Sequence, residues 1–323
     1  MTASAPAKTI LFGEHFVVYG EPAVVLAINK RAYATAQLRK DGRIHINSID
    51  LGVAGTFKGK RFQAEKGGSK AHLKLEPIKN AVQQVLERAE RKTGVNVRIN
   101  SNIPVSAGLG SSAAVATSTI VAVSNVLGIK LSCNQIFSMA YESERLVHGT
   151  PSGIDPAIST YGGALQFQKG KDFTSLKVQT NIPLVVGNTR VERSTGELVA
   201  NVHRIKEHYP SIIDPIIGIG GKIALDAVEA LKKGNLPTIG ELMNINHALL
   251  CAIGVSHESL ERLIHAARKS GALGAKLTGG GGGGCMIALA EAGKLKRVVK
   301  AIEQVGGTAF IARKIEQGVR IER

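Results

Sequence analysis

The stretch Pro104-Val-Ser-Ala-Gly-Leu-Gly-Ser-Ser-Ala-Ala114 lies between a segment of alternating apolar residues and a longer apolar segment. The alternation over residues 95–99 predicts a strand with one buried face, and the later apolar residues predict a helix that Gly128 can stop. A helix N-terminus presents unpaired backbone N–H groups and a partial positive charge. Gly108 and Gly110 allow an anion to approach those donors closely, so the stretch predicts a phosphate-binding loop.

Other residues of this loop suit the same role. Ser111 and Ser112 supply hydroxyls for phosphate or magnesium, and the small Ala113 and Ala114 let the helix pack tightly. The chain contains no Walker A pattern, and Ala113 stands where the dinucleotide fingerprint has its third glycine. A plain tight turn before a capped helix is the alternative, because two glycines and two serines are common together.

The composition is that of a folded, strongly basic chain. The 323 residues are 44% hydrophobic, which excludes a disordered chain and allows one large domain or two ordinary ones. The net charge of +16 favours anionic partners such as nucleotides, phosphorylated metabolites, nucleic acid or acidic membranes. Three distant cysteines, with no pair at metal-ligand spacing, favour a reducing, cytoplasmic setting. We identify no signal peptide and no membrane-spanning segment.

The order of patterns along the chain predicts an α+β protein of two domains. The first 60 residues predict strands, among them 8–12, 23–26, 31–38 and 44–46. Helical spacing predicts a helix that starts after Pro77, with further helices mainly in the second half. Because Lys169, Gly170 and Lys171 break the apolar pattern, we divide the chain into an N-terminal domain, residues 1–175, and a C-terminal domain, residues 176–323.

Two carboxylates stand in positions that favour chemistry. Glu144 shares a helical stripe with apolar residues, and a buried carboxylate needs a cation, a metal or several donors. A structural ion pair and a magnesium ligand both satisfy that need. Asp155 precedes Pro156, which predicts either a helix N-cap or a catalytic carboxylate on a rigid turn. Lys8 is a candidate partner for Asp155, although most lysines are simply solvated.

A run of six glycines, Gly279 to Gly284, lies between two apolar segments. Ordering so many glycines costs conformational entropy, which favours a close backbone approach to a ligand or to another segment. A flexible linker is the alternative, but linkers usually carry serine and other polar residues. The patterns of zinc proteases, serine hydrolases and paired redox cysteines do not occur.

Three motifs, in order, resemble those of the GHMP kinases. They are Pro6-Ala-Lys8 through Gly13-Glu-His15, Gly108-Leu-Gly-Ser-Ser-Ala-Ala114, and Lys276-Leu-Thr-Gly279 with the glycines that follow. The resemblance covers nearly the whole chain. It is closest to the branch that phosphorylates mevalonate, as judged from residues 10–20, 144–155 and 188–195. The galactokinase branch carries Asp-Tyr where Phe16 and Val17 stand, and many members carry glycine where this chain has Ser106.

This resemblance implies a two-domain GHMP kinase fold. Its N-terminal domain would resemble domain 2 of ribosomal protein S5, and its C-terminal domain would be ferredoxin-like. The active site would lie in the cleft between the two. Homodimers are common in the family.

The resemblance also implies an activity and a set of roles. The activity is ATP-dependent phosphorylation of the terminal (C5) hydroxyl of mevalonate in isoprenoid biosynthesis, with Mg²⁺ as cofactor. Asp155 and Lys8 would be catalytic, and Ser112 and Glu144 would hold the metal. The substrate would bind beside Glu14, His15, Thr195 and Gly279. ATP would bind along Pro104, Ser106, Ala107, Gly108, Leu109, Gly110, Ser111, Ser112, Ala113 and Ala114.

Two alternatives stay open. One is a sister kinase that acts on phosphomevalonate or another hydroxy acid. The other is a basic RNA-binding module, since the S5-like fold also occurs in the ribosome. RNA-binding proteins usually stack bases on aromatic side chains, whereas aromatic residues make up only 4% of this chain and tryptophan is absent. We therefore expect no nucleic-acid partner, and no membrane partner either.

Overall fold

The computed structural model describes residues 1–104, 107–148, 152–178, 180–191 and 195–322. The strands within these residues are β1 Thr2–Phe12, β2 Ala23–Arg39, β3 Ile44–Ser48, β4 Val53–Lys58, β5 Arg61–Lys66, β6 Gly94–Ser101, β7 Ala164–Phe167, β8 Thr174–Leu176, β9 Pro183–Asn188, β10 Gly274–Leu277, β11 Cys285–Leu289, β12 Thr308–Arg313 and β13 Arg320–Glu322. The helices are α1 Ala71–Arg88, α2 Ser111–Val126, α3 Cys133–His148, α4 Ile154–Tyr161, α5 Thr195–His208, α6 Pro210–Lys233, α7 Leu236–Ala252, α8 Glu258–Lys269 and α9 Leu295–Gln304. Short 3₁₀ helices cover His15–Tyr19 and Ala292–Lys294.

The described strands form two sheets. The first has the order β13-β1-β2-β6-β3-β4-β5, with β7 paired to β2 and β8 paired to β7. The second has the order β10-β11-β9-β12. The chain changes sheets between Leu176 and Pro183, and β13 then returns to pair with β1. Because β13 comes from the end of the chain but adds to the first sheet, the two sheets do not divide the chain at a single residue. The domain boundary at residue 175 therefore stays a prediction.

The second strand differs from its prediction. Residues 23–26 and 31–38 were expected to be separate strands, but they belong to the single 17-residue strand β2. Its first part pairs with β7 and its second part with β6, while β1 pairs along both. The half-buried polar residues Asn29 and Lys30 interrupt the apolar pattern without ending the strand.

The first helix also begins earlier than predicted. We expected the helix to start after Pro77, but α1 starts at Ala71 and contains Pro77 in its interior. Proline lacks the N–H that would bond to the carbonyl of residue 73. Leu73 is 64% exposed, so water can hydrate this end of the helix. The apolar residues from Ile78 onward still face the core, as their spacing predicts.

A continuous apolar core joins the two halves. One cluster combines Leu11 of β1 with Val186 of β9, Ile223 of α6 and Met243 of α7, all at most 6% exposed. Burial of this kind contributes roughly 25 cal/mol per Å² of apolar surface, so the halves are held in one relative orientation. Within the described residues, no helix combines the length and the apolar character needed to cross a membrane.

Candidate active site

An open cleft of about 590 Å³ is lined by residues from both halves. It brings together most of the predicted site residues: Lys8, Glu14, His15, Ala107, Gly108, Leu109, Gly110, Ser111, Ser112, Glu144, Asp155, Thr195 and Gly279. Pro104, Ala113 and Ala114 do not line it, and the two alanines are buried within the fold. Ser106 lies outside the described residues.

The predicted phosphate loop leads directly into a helix N-terminus. Gly110 occupies the N-cap of α2 with a φ of 72°, and Gly108 has a φ of 71°. Both angles fall in the left-handed region that favours glycine. The first bond of the helix runs from the Ala114 N–H to the Gly110 carbonyl. The N–H groups of residues 111–113 therefore precede the helical ladder, which is the arrangement that binds anions.

A close contact fixes this loop over β1. The Lys8 N–H donates to the Leu109 carbonyl at 2.9 Å. A Cβ on Gly110 would lie 2.8 Å from Lys8 Cγ and 3.4 Å from Asp155 Oδ2. Glycine at residue 110 is thus required twice, once by its backbone angle and once by the side chains beneath it.

Lys8 and Asp155 form an ion pair under the loop. Their Nζ and Oδ1 atoms are 3.0 Å apart, and the two side chains are 8% and 26% exposed. Of the two roles predicted for Asp155, the helix N-cap is wrong, because α4 begins at Ile154 with Gly153 as its N-cap. Asp155 lies in the first turn, as does Pro156, where a missing N–H costs no helical bond. The carboxylate of Asp155 therefore pairs with Lys8 and does not cap the helix.

Glu144 is a third ionisable group at this point. It is 7% exposed, on the α3 stripe that its spacing predicts. Burial, and after it the nearby charge of Asp155, raise the pKa of Glu144 to about 8, although Lys8 acts to lower it. A buried carboxylate beside another carboxylate is stabilised in its charged form by an added cation. Glu144 therefore suits a cation ligand better than a closed structural ion pair.

A buried network ties Glu14 to the second half of the chain. Its Oε1 accepts from Lys276 Nζ, and its Oε2 accepts from Asn246 Nδ2 at 3.2 Å. Glu14 and Lys276 form an ion pair, and both side chains are fully buried, at 0% exposure. Burial lowers the pKa of the Lys276 ammonium, and the adjacent Glu14 opposes that shift. Glu14 lines the cleft, but its carboxylate mainly holds β10 against the segment after β1.

The glycine run forms another wall of the cleft. The Gly280 carbonyl accepts a hydrogen bond from His15 Nε2 at 2.8 Å. A Cβ on Gly280 would lie 2.8 Å from Thr195 Oγ1, and one on Gly282 would lie 2.7 Å from Leu198 Cδ1. Close packing of this backbone against α5 agrees with the predicted close approach and not with a linker.

The sequence did not indicate the neighbouring apolar pocket. This pocket, of about 200 Å³, shares Ser111 and Ser112 with the cleft. Its other lining residues come from the ends of β3 and β6 and from α1 and α2: Ser48, Asp50, Leu51, Lys74, Pro77, Ile78, Ile99, Ser101, Ile103, Val115 and Ala116. No local motif links these segments, so only the fold reveals the pocket. Asn246 stands in no motif, and Lys276 stands in the third motif but received no role, because their contacts with Glu14 appear only in the fold.

Comparison with known proteins agrees with this geometry. Family models described as the GHMP kinases N terminal domain and the GHMP kinases C terminal match residues 76–163 and 227–308. A mevalonate kinase of Pyrococcus abyssi is 47% identical, over 99% of this chain and 97% of that protein.

Solved structures give the same result. The mevalonate kinase of L. major in complex with R-mevalonate superposes with a TM-score of 0.85 at 28% identity, over 98% of this chain and 97% of that one. The Methanococcus jannaschii mevalonate kinase has a TM-score of 0.83 at 30% identity, over 98% of both chains. The predicted two-domain fold and family are confirmed. The chain therefore belongs to the GHMP kinases, in the mevalonate kinase family.

Proposed function

We propose that the cleft transfers the terminal phosphoryl group of ATP to the C5 hydroxyl of mevalonate. The observation that carries this proposal is the Lys8–Asp155 ion pair, which lies directly beneath the glycine loop. A carboxylate and an ammonium are thereby positioned where a phosphate held by the loop would meet an acceptor hydroxyl. The mevalonate kinases at 46–47% identity support this acceptor.

The residues of the cleft divide the chemistry between them. The N–H groups at the start of α2 bind the phosphates, and Lys8 stabilises the charge on the transferring group. Asp155 orients the acceptor hydroxyl or accepts its proton while the new P–O bond forms and the bond to ADP breaks. Because the transition state of such a transfer is loose, positioning and charge stabilisation supply most of the rate.

A magnesium ion fits the oxygen-rich side of this cleft. Ser112 and Glu144 would hold it together with phosphate oxygens, since Mg²⁺ prefers oxygen ligands and few carboxylates. The raised pKa of Glu144 supports this assignment, because a cation would favour its charged form. When bound, the ion neutralises charge on the β- and γ-phosphates.

The apolar pocket beside Ser111 and Ser112 suits the nucleoside of ATP. Because the pocket begins at Ser111 and Ser112, a nucleotide whose phosphates lie at the start of α2 would place its nucleoside in the pocket. The lining of the pocket is mainly apolar, as in small-molecule sites generally. Asp50 and Lys74 at its edge supply polar groups for orientation.

Filling this pocket should weaken ATP binding selectively. We expect Leu51→Trp to raise the KM for ATP by about 10-fold or more, since even one extra methylene in an apolar pocket changes binding by on the order of 1–3 kcal/mol. The KM for mevalonate should change little. Ile49→Trp is the matched control, because Ile49 lies two residues away, is 42% exposed and does not line the pocket. Equal effects of the two variants on the KM for ATP would remove the nucleoside from this pocket.

The acceptor is tested by coupled ADP release with mevalonate, phosphomevalonate, homoserine and galactose as substrates. We expect turnover on mevalonate far above that on the other three. Turnover on phosphomevalonate alone would favour the sister kinase and leave the fold assignment intact. Salt-sensitive RNA binding without ADP release would favour the RNA-binding alternative.

Three further expectations belong to this proposal. The exposed free thiols of Cys133 and Cys251 suit a reducing, cytoplasmic setting. A homodimer stays a prediction from family resemblance, which sedimentation analysis can check. The proposal requires no nucleic-acid or membrane partner.

A further inference from the structure

A compact set of metal-ligand groups lies outside the cleft. His247 and Cys251 are four residues apart on α7, so they share one face of the helix. Glu261 reaches the same point from α8. Among the described residues, these three side chains are the group in which histidine, cysteine and acidic donor atoms converge.

The distances match those of a coordination site. Glu261 Oε1 lies 3.0 Å from His247 Nε2 and 3.5 Å from Cys251 Sγ, and the latter two atoms are 3.5 Å apart. The circle through three such atoms has a radius of about 1.9 Å, just below the ~2.0–2.3 Å of zinc bonds to N, O and S. A zinc ion would therefore sit slightly above their plane, as tetrahedral coordination requires. Ser256, which donates to the same carboxylate oxygen, or water can complete the set.

The arrangement does not suit a nucleophilic triad. In a triad, the two imidazole nitrogens face the nucleophile and the carboxylate separately. Here the thiol and the carboxylate both face Nε2 of His247. The buried Nδ1 has no hydrogen-bond partner in the described part of the chain, so no second group fixes the ring in one tautomer.

We propose that His247, Cys251 and Glu261 bind a zinc ion that clamps α7 to α8. Binding moves the imidazole proton to Nδ1 and releases the thiol proton to solvent, so one proton leaves for each zinc bound. The thiolate and the carboxylate together neutralise the charge of the ion, which limits repulsion from the nearby cations Arg268 and Lys276. Cys251 and Glu261 are exposed, which gives the metal a path from solvent.

The clamp would brace the glycine run of the cleft. The turn between α7 and α8 contains Val255, whose carbonyl accepts from the Gly282 N–H at 2.9 Å. On α7, Asn246 precedes His247 and donates to Glu14. Zinc would thus fix two elements that support the cleft without contacting the substrates.

Cobalt titration of the chelator-treated full chain tests this site. We expect one Co²⁺ per chain with a thiolate charge-transfer band that Zn²⁺ removes and excess Mg²⁺ leaves unchanged, because thiolates prefer softer metals. Cys251→Ser should abolish the band. His247→Gln should weaken Zn²⁺ binding by at least about 10-fold, the lower end of what even outer-shell changes cost.

Cys133→Ser is the matched control, since Cys133 is the other exposed cysteine and starts α3. It should retain the band and the zinc-dependent rise in melting temperature, whereas Cys251→Ser should lose both. Calorimetry of zinc binding in two buffers of different ionisation enthalpy should give one proton released. Absence of a Co²⁺ band in the unaltered protein, or a band that survives Cys251→Ser, would overturn the proposal.

Discussion

Replacing Asp155 by asparagine should lower kcat by about 10²–10⁴-fold, the range that a positioned acid or base contributes. The substitution keeps the size and shape of the side chain but removes the charge that faces Lys8 at 3.0 Å. The KM for ATP should change by no more than about threefold, because an interaction made only in the transition state appears in kcat. Steady-state ADP release at saturating mevalonate measures both constants.

Asp226→Asn is the control for this experiment. Asp226 lies on the exposed side of α6 and does not line the cleft, so its variant should retain normal kcat. Both variants should keep the far-UV circular dichroism of the parent chain. A near-normal kcat for Asp155→Asn would remove Asp155 from catalysis, and the phosphoryl transfer would then depend on positioning by the loop and on Lys8.

The parts of the site that sequence patterns could predict are those with local physical causes. Gly110 and Ser111 stand at a strand-to-helix junction, where the unpaired N–H groups of the helix start are able to bind an anion. The α3 stripe that contains Glu144 follows from helical periodicity alone. Lys8 was one candidate partner for Asp155 among many lysines, and only the family resemblance gave the two a shared role, since 147 positions separate them in the chain and no periodicity connects them.

The remaining features depend on contacts between distant segments. The apolar pocket combines residues from the ends of β3 and β6 with two helices, so no single segment carries its pattern. His247 and Cys251 are visible as an i, i+4 pair, but Glu261 joins them only because α8 folds back along α7. Local cues also failed at Pro77, where tertiary packing extends α1 past a residue that commonly starts a helix.

The buried ion pair of Glu14 and Lys276 gives the second large effect that we expect. Lys276→Met should destabilise the fold by about 3–5 kcal/mol, because it leaves a buried carboxylate without its cation. Far-UV circular dichroism during urea unfolding measures this loss. Since Glu14 follows β1 and Lys276 lies in β10, the variant should also loosen the wall formed by His15 and Gly280, and kcat should fall with stability.

The exposed ion pair of Lys232 and Glu229 is the control that separates the effect of burial from the effect of losing a charge. These partners are 2.8 Å apart but 51% and 60% exposed, so Lys232→Met should cost only about 0–1 kcal/mol. Combining Glu14→Met with Lys276→Met should restore much of the lost stability, because a buried apolar pair carries no uncompensated charge. Its activity should stay low, since Asn246 then loses its acceptor at the cleft wall. Equal losses from Lys276→Met and Lys232→Met would show that the buried pair contributes no more than a surface one.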